Sequence, residues 1–279
     1  MTDRERHVVD YYSRHPISSE HVLAKLQESR GHLNDLRPED LYPHDQDHYG
    51  GLDANDDLAE LARMKAGVKV ADFCAGLGGP ARYWAHRYDV EVTGIELNPS
   101  RIQGAEELTR RVGLEDRVQV ISGNVLDVPL ADGSVDAVVS QEALLHVPDK
   151  LKALEEAFRI LKPGGRLAFT DWVMHRPLSA EEAEDMWRGI AAQTLQSIDG
   201  YKASLVKAGF QVVSIEDLTD FWGTVLEERL AMYQKLRVET KRAGTPSGDE
   251  AFYQSYARLV AHVKARVLGG GRFTAEKPS

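Results

Sequence analysis

The stretch from Val68 to Ala85 constrains the fold of this chain more than any other. It begins with a short, apolar, β-branched run ending at Phe73, which is typical of a buried strand. Glycines at 76, 78 and 79 follow, and they allow a tight turn and a close approach of the backbone to a ligand. From Pro80 the pattern becomes helical, and proline is tolerated in a first helical turn. The order strand, glycine-rich turn and helix predicts a nucleotide-type site.

The glycine spacing excludes two common phosphate-binding motifs. The pattern G-x-G-x-x-G is not met, because position 74 is Cys74, and no Gly-Lys-Ser/Thr follows as a P-loop requires. A second predicted strand, residues 90–96, ends in Glu96, about 20 positions further on. A carboxylate at that strand end can accept hydrogen bonds from both ribose hydroxyls of an adenosine ligand. The pattern therefore favours a ligand that contains an adenosine group.

With this acidic residue, the sequence resembles the class I S-adenosylmethionine-dependent methyltransferases between about residues 45 and 175. Residues 74–82 (CAGLGGPAR) and 140–149 (SQEALLHVPD) are similar to sarcosine/dimethylglycine and phosphoethanolamine methyltransferases. The resemblance implies an α/β fold with a doubly wound, mostly parallel, seven-stranded Rossmann-like sheet whose last strand is antiparallel. It also implies S-adenosylmethionine as the methyl donor.

The resemblance assigns cofactor-binding roles to residues at the ends of the first four strands. Glu96 would hold the ribose, and Asn124 stands where the family usually has an acidic residue beside the adenine. An asparagine oxygen can still accept a hydrogen bond from the adenine amino group. Cys74 replaces the family's first glycine and implies a small side chain near the methionine end, but not a nucleophile. The cofactor-binding residues expected are Asp72, Gly76, Gly78, Glu96, Leu97, Asn124, Val125 and Gln141.

Four side chains are candidates for the acceptor side: His48, Tyr49, Gln141 and His146. Residues 40–51 are too polar and broken for a core element, and we expect a loop there that carries His48 and Tyr49 to the site. Gln141 and His146 follow the fourth strand, and the carboxyl ends of such strands face the ligand. The alternative for His146 is a residue at a helix start that is bonded to backbone. Asp171 and Trp172, at the end of the fifth strand, are also expected to face the site.

Three segments divide the predicted chain. Residues 1–50 form a helical segment, broken near Pro16, which is either a brace on the core or a lid over the ligand. Residues 51–220 form the S-adenosylmethionine-binding core. Residues 221–279 hold a helical cap, interrupted at 243–248, followed by the last strand at 269–275. Such a cap is a candidate for substrate binding or for contact between subunits of a homo-oligomer.

Composition limits the partners. The formal net charge of −10 disfavours a nucleic-acid backbone, which binds to clustered Lys and Arg. Cys74 is the only cysteine, so no internal disulfide and no cysteine-based metal cluster is expected, and no metal ligand is assigned. No apolar run approaches the roughly 20 residues that span a bilayer. We therefore expect a cytoplasmic enzyme that acts on a small molecule and binds neither nucleic acid nor membrane.

Three functions remain open at this point. N-methylation of a small amine is favoured by the resemblance, and the amine must be deprotonated to expose its lone pair. C- or O-methylation of a terpenoid or another natural product uses the same core; a carbocation formed in C-methylation would need groups such as Tyr49, Glu142, Trp172 and Trp222. The third function, from another class, is non-catalytic nucleotide binding.

Overall fold

The computed structural model describes residues 2–13, 17–192, 194–242 and 250–279. Its strands are β1 (Lys69–Phe73), β2 (Glu91–Glu96), β3 (Val118–Ser122), β4 (Val135–Gln141), β5 (Leu161–Met174), β6 (Gln211–Asp217) and β7 (Leu268–Glu276). They form one sheet in the order β3-β2-β1-β4-β5-β7-β6, in which β7 alone is antiparallel to its neighbours. The predicted α/β class and the seven-stranded, mostly parallel sheet are confirmed.

The described helices cover both faces of this sheet. They are α1 (Asp3–Ser13), α2 (Ser19–Arg30), α3 (Pro38–Asp45), α4 (Gly51–Leu61), α5 (Gly79–Tyr88), α6 (Pro99–Arg111), α7 (Lys150–Ile160), α8 (Ala180–Ile190), α9 (Ile198–Lys207), α10 (Thr219–Arg242) and α11 (Glu250–Lys264), with a 3-10 turn at Leu144–His146. None of them combines the length and the apolar character that crossing a bilayer requires.

Burial on both faces explains why the central strands are apolar. One cluster joins the sheet to α7 and α9 and includes Phe169, Tyr201 and Phe273. The opposite cluster joins it to α4 and α5 and includes Leu58 and Trp84, both fully buried. Parallel strands that are covered by helices on both faces have nearly continuous hydrophobic sequences, and β1 and β4 follow this rule.

The chain reverses its direction of winding between β1 and β4. From β1 the sheet grows through β2 to β3 on one side, and from β4 through β5 on the other. In open α/β sheets a crevice for ligands forms outside the carboxyl ends of the strands at this switch point. The cofactor and acceptor candidates at the ends of β1, β2 and β4 are therefore brought to one edge.

The two N-terminal helices differ in how they are held. α2 buries Val22 and Leu26 in a cluster with Leu41 of α3 and Leu108 of α6. α2 is thus packed on the core, while the choice between brace and lid for residues 1–50 stays a prediction. α1 buries no side chain, and it contacts both α8 and the cleft described below.

The C-terminal cap is anchored by a tryptophan on a glycine strand. α10 and α11 stand between β6 and β7, as the predicted helical insertion does. Trp222 of α10 is 1% exposed and packs directly on β7, where a Cβ at Gly270 would lie 2.4 Å from the indole. Only glycine leaves room for this ring.

Several predicted boundaries are wrong. Residues 40–45 are helical, not loop, because α3 starts with Pro38 and buries Leu41 and Asp45 in the core. The sequence pattern predicts a helix from Asn55 and a fifth strand from Arg166, but α4 begins four residues earlier, at Gly51, and β5 five residues earlier, at Leu161. The expected breaks at Pro16 and at 243–248 lie outside the described residues. The division of the chain at residues 50 and 220 stays a prediction.

Candidate active site

The loop between β1 and α5 takes the conformation that its glycines permit. Gly76 has φ +56° and Gly78, the N-cap of α5, has φ +70°. Cys74 has φ +60°, a left-handed conformation that disfavours residues with a Cβ. The N–H of Cys74 donates to the Ile95 carbonyl at 2.8 Å, which fixes the loop against β2. The backbone at the predicted methionine end is thus more strained than a glycine at position 74 would leave it.

α3 meets the start of α5 beside this loop. A Cβ at Gly79 would lie 2.0 Å from the Asp45 carbonyl oxygen, so the two backbones are in direct contact. The Asp45 carboxylate accepts from Arg82 Nη2 at 2.9 Å, and both side chains are essentially inaccessible to solvent. Breaking one partner of a buried ion pair leaves an uncompensated charge, so this pair fixes α3 on α5.

Glu96 is held by backbone donors at the end of β2. Its Oε1 accepts from the N–H groups of Leu97 (2.9 Å) and Asn98 (2.8 Å), and its Oε2 from Gly76 (2.8 Å). Burial raises the pKa of Glu96, while these three donors oppose the shift. A carboxylate oxygen can accept two hydrogen bonds, so Oε2 retains an acceptor position towards the cleft.

Asp72, at the end of β1, is a buried carboxyl group without a hydrogen-bond partner among the described residues. Burial, reinforced by the nearby Glu96, raises the pKa of Asp72 to about 8. Burial and the neighbouring carboxylates also raise the pKa of the Cys74 thiol. The thiol is therefore protonated and a poor nucleophile at neutral pH.

Asn124 lines the cleft after β3, but its amide is already engaged. Oδ1 accepts from the Leu126 N–H at 3.0 Å, and Nδ2 donates to Glu5 Oε1 of α1 at 3.0 Å. Val125 and Leu97 line the same end of the cleft. The sequence places these residues together correctly, while the partner from α1 was not expected.

The end of β4 carries the two polar side chains that are most available for chemistry. Both amide atoms of Gln141 are buried, lack a hydrogen-bond partner among the described residues and belong to a residue that lines the cleft. Glu142, next in the chain, has φ +53°, and its two oxygens lie 3.0 Å from the Tyr49 N–H. Burial raises the pKa of Glu142 well above its usual value. Of the acceptor-side candidates, Gln141 has the geometry of a binding group.

His48 and Tyr49 lie beside this pair in different environments. His48 is 4% exposed, and its ring nitrogens lie 3.1 Å from Gln46 Oε1 and 3.3 Å from the Tyr49 carbonyl. Burial lowers the pKa of His48, and both ring nitrogens face protein oxygens. The Tyr49 ring packs on Trp222 and Trp172, with centroids 5.0 and 5.9 Å away. His48 lines the cleft, whereas the Tyr49 ring lies behind it.

His146 lines the cleft from the 3-10 turn, and it is bonded on both sides. Nδ1 lies 3.1 Å from the Ala191 carbonyl and Nε2 lies 2.8 Å from Tyr12 Oη. Since the carbonyl only accepts, Nδ1 carries a proton that it donates to Ala191. The interpretation of His146 as a residue bonded to backbone thus agrees with its geometry.

Asp171 and Trp172 do not reach the cleft, contrary to expectation. Asp171 Oδ1 accepts from the Leu145 N–H at 3.0 Å, and Oδ2 accepts from the Tyr201 hydroxyl. Burial raises the pKa of Asp171 to about 6. The Asp171 carboxylate therefore stabilises the 3-10 turn that carries His146, from the side away from the cleft. Trp172 is 3% exposed and belongs to the apolar cluster around Trp222.

The candidate residues other than Gly78, Tyr49, Asp171 and Trp172 line one open cleft. Its lining is strongly acidic, with one arginine, Arg101, which lies 3.8 Å from Asp47. The carboxyl groups that line it are Glu5, Asp45, Asp47, Asp72, Glu96 and Glu142. Such a cleft attracts cations and repels anions.

A second cavity adjoins the cleft. Glu142 belongs to the walls of both, and the ring-bearing residues Tyr49, Phe221 and Trp222 line the second one. Arg229 of α10 lies over the Tyr49 ring, 4.7 Å from its centroid, and donates to the His48 carbonyl at 2.9 Å. Arg229 therefore joins helix α10 of the cap to His48 and Tyr49, where the cleft meets the second cavity.

Sequence reasoning missed three contributors to the cleft. Glu142 was considered only for C-methylation, although an acidic residue at a strand end is the signal that identified Glu96. Glu5 and Tyr12 come from α1, and nothing in their local pattern relates them to residues more than 100 positions away.

Comparison with known proteins gives this geometry a context. Residues 71–169 match the methyltransferase domain family. The chain is 32% identical to 27-O-demethylrifamycin SV methyltransferase of Amycolatopsis mediterranei over 80% of its own length and 82% of that protein. It is 34% identical to glycine/sarcosine/dimethylglycine N-methyltransferase of Actinopolyspora halophila over 57% of its length, but only 29% of that protein.

A solved structure shares the fold. It is phosphoethanolamine N-methyltransferase 2 of Haemonchus contortus, in complex with phosphomonomethylethanolamine and S-adenosylhomocysteine. The TM-score is 0.75 at 21% identity, covering 98% of this chain and 60% of that one. At this identity the likeness concerns the fold alone.

Proposed function

The chain belongs to the class I S-adenosylmethionine-dependent methyltransferases, and on that premise we propose that it methylates the nitrogen of a small amine in the acidic cleft. S-Adenosylmethionine supplies an activated methyl group on a sulfonium centre. The chain's own residues must bind the donor, hold the amine in line with it and remove a proton from the amine.

Four features of the cleft fit the donor. The unpartnered Asp72 carboxyl suits a cationic amino group, and Glu96 Oε2 retains an acceptor position for a ribose hydroxyl. Gly76 leaves the loop without a side chain where the ligand would lie, while Leu97 and Val125 provide apolar contact for the adenine. These residues would hold the cofactor. Gly78 does not line the cleft, since a Cβ there would face Arg82 and Val120.

The charge of the lining is the observation that supports an amine as the acceptor. Six residues with carboxyl groups line the cleft, and one of them, Asp45, is paired with the buried Arg82. The single arginine in the lining, Arg101, is close to Asp47. An acceptor with a phosphate or a carboxylate would meet no uncommitted cation there among the described residues. An amine arrives as a cation and is attracted by the same field as the sulfonium donor.

Glu142 and Gln141 provide the acceptor chemistry. A protonated amine has no free lone pair, so a base must take its proton before transfer. A carboxyl group whose pKa is raised towards neutrality is an effective base, and burial shifts Glu142 in this direction. The unpartnered Gln141 amide can accept an N–H of the amine and orient its lone pair. His48 and His146, whose nitrogens already face protein groups, would shape the cleft and not act as bases.

A methyl-transfer screen tests the proposal. The purified protein is incubated with S-adenosylmethionine and matched small amines, alcohols, phenols and prenyl compounds, and products are identified by mass. We expect methylation of primary or secondary amines without an anionic group, and weaker activity on their carboxylated counterparts. Methylation confined to hydroxyl or alkene compounds would contradict the proposal.

O-Methylation of a natural product is the second candidate. It is supported by the similarity to the rifamycin enzyme over about four-fifths of both chains. Glu142 could accept a hydroxyl proton as readily as an ammonium proton. C-Methylation has less support, because the Trp172 and Trp222 rings do not line the cleft and offer a carbocation no π face there.

A further inference from the structure

α1 reaches the cleft without burying any side chain. Glu5, Val8 and Tyr12 line the cleft, although the helix contributes nothing to the apolar core. At the cleft, Asn98 Nδ2 donates to the Val9 carbonyl at 3.3 Å, and the Tyr12 hydroxyl lies 2.8 Å from His146. On its other side the helix contacts α8, where the His7 ring stacks on Trp187 with centroids 4.0 Å apart. Residues of the site and of α8 together hold the helix at the rim.

The orientation of Asn124 is fixed by the backbone. Its Oδ1 accepts from the Leu126 N–H at 3.0 Å, so the amide nitrogen must point the other way. There Nδ2 donates to Glu5 Oε1 at 3.0 Å. Asn124 consequently presents N–H donors at the place where an amino group would need an acceptor.

The Glu5 carboxylate provides the missing acceptor. Oε1 receives one hydrogen bond from Asn124, and Oε2 receives one from the Thr2 N–H at 2.6 Å. Each carboxylate oxygen can accept two, so both oxygens retain a position for a further donor. Glu5 is partly exposed and forms part of the cleft wall beside Asn124.

We propose that Glu5 recognises the amino group of adenine, supplying from α1 the carboxylate that position 124 lacks. Asn124 positions Glu5 and is not itself the acceptor. This inference rests on the proposed placement of the adenosyl group in the cleft. It makes base recognition depend on a helix that is more than 100 residues away from the β3 loop in sequence.

The test compares two ligands by isothermal titration: S-adenosylhomocysteine and S-inosylhomocysteine, in which a carbonyl oxygen replaces the amino group. A carboxylate attracts the amino group and repels the carbonyl, so the wild-type protein should bind the adenine form at least about 10-fold more tightly. Glu5→Gln can donate to the carbonyl, and the preference should fall to within about 3-fold. A purely structural role for Glu5 would weaken both ligands equally, and that result would overturn the inference.

Asp3→Asn is the matched control. Asp3 lies on the same helix, is largely exposed and pairs with Arg6 outside the cleft. The variant should keep both affinities and their ratio. A loss of preference in Asp3→Asn as large as in Glu5→Gln would assign the effect to the charge of α1 and overturn the role of Glu5.

An exchange of the two groups sharpens the test. Asn124→Asp alone brings two carboxylates into contact and should weaken S-adenosylhomocysteine binding by about 10-fold. In the double variant Glu5→Gln/Asn124→Asp the carboxylate returns to the loop after β3, and we expect affinity within about 3-fold of the wild type. A double variant no tighter than Asn124→Asp would count against the inference. If the wild-type protein bound neither ligand, both the proposed placement of the cofactor and the role of Glu5 would be wrong. This outcome differs from a failure of the Glu5 role alone, in which the wild-type protein still binds S-adenosylhomocysteine.

Discussion

The two halves of the cleft are assembled in different ways. The cofactor half, with Asp72, Gly76 and Glu96, comes from β1, β2 and the loop that joins β1 to α5. The acceptor half joins Tyr12 to His146, 134 positions apart, and Tyr49 to Glu142, 93 positions apart. The first half is determined by local pattern, whereas the second exists only after the chain has folded.

The halves also differ in how their carboxyl groups are satisfied. Glu96 accepts three hydrogen bonds from the backbone, so its position is fixed before any ligand binds. Glu142 meets a single backbone N–H, and Gln141 beside it has no partner among the described residues. The fixed Glu96 carboxylate is suited to binding the cofactor. Glu142 and Gln141 have few protein partners, so they are available to contact the acceptor and to take up its proton.

The largest effect should come from the acceptor half. Glu142→Gln keeps the shape of the side chain but removes the base, so kcat should fall by about 10²- to 10⁴-fold. Affinity for S-adenosylmethionine, measured by titration, should change less than about 2-fold. The wild-type rate should rise with pH as Glu142 ionises, and this dependence should disappear in the variant. Asp53→Asn, which removes a carboxylate of the second cavity only, is the control and should retain activity.

In the cofactor half, Glu96→Ala should raise the Kd for S-adenosylmethionine by about 10- to 150-fold. The change removes a charged acceptor and leaves three backbone N–H groups without their partner. Glu91→Ala, at the opposite end of β2 in an exposed contact with Lys69, should bind normally. Equal losses in both variants would show that β2 stability, and not ribose binding, is being measured.

A third prediction concerns the protonation of Asp72. At pH 7 the carboxyl is mostly protonated, because burial raises its pKa to about 8. A cationic ligand favours the ionised form of Asp72, so binding of S-adenosylmethionine at pH 7 should release up to one proton. Its Kd should fall as the pH rises towards 8, by at most about 10-fold per pH unit. Titrations in buffers of different ionisation enthalpy measure this release, and Asp72→Asn should abolish it.

The same variant should change the stability of the free protein. With a raised folded-state pKa, the folded protein binds more protons than the unfolded chain between about pH 4 and 8, so Asp72 lowers stability as pH rises through this window. Asp72→Asn should therefore raise the Tm at pH 8 and have little effect at pH 4. A Tm that fell at pH 8 would contradict the buried, unpartnered environment of Asp72.

The smallest effect is expected at Cys74. Cys74→Gly relieves the left-handed backbone at φ +60°, and S-adenosylmethionine affinity should stay within about 2-fold. The wild-type thiol should react slowly with iodoacetamide at pH 7.5, since burial raises its pKa. Because the chain has one cysteine, mass spectrometry reads this reaction directly. Rapid alkylation would place the thiol in a more open site.

The features that can be predicted from the sequence lie mainly in the cofactor half of the cleft. The order of strands, the glycine turn and Glu96 are encoded in short stretches whose periodicity and spacing can be read directly. The helix over residues 40–45 was missed because its polar side chains are satisfied by tertiary partners: Asp45 by Arg82, and Tyr42 by His86. Position 124 shows the limit most clearly, since its amide takes its direction from both Leu126 and Glu5, and only one of these is local.

The contact between Gly79 and the Asp45 carbonyl limits which substitutions this region can accept. A methyl group at position 79 would overlap a backbone oxygen, which cannot swing aside as a side chain would. A library that randomises this codon should return glycine almost alone, even under a selection that requires folding and not catalysis. Any route to a wider donor site by mutation must therefore begin elsewhere along the loop.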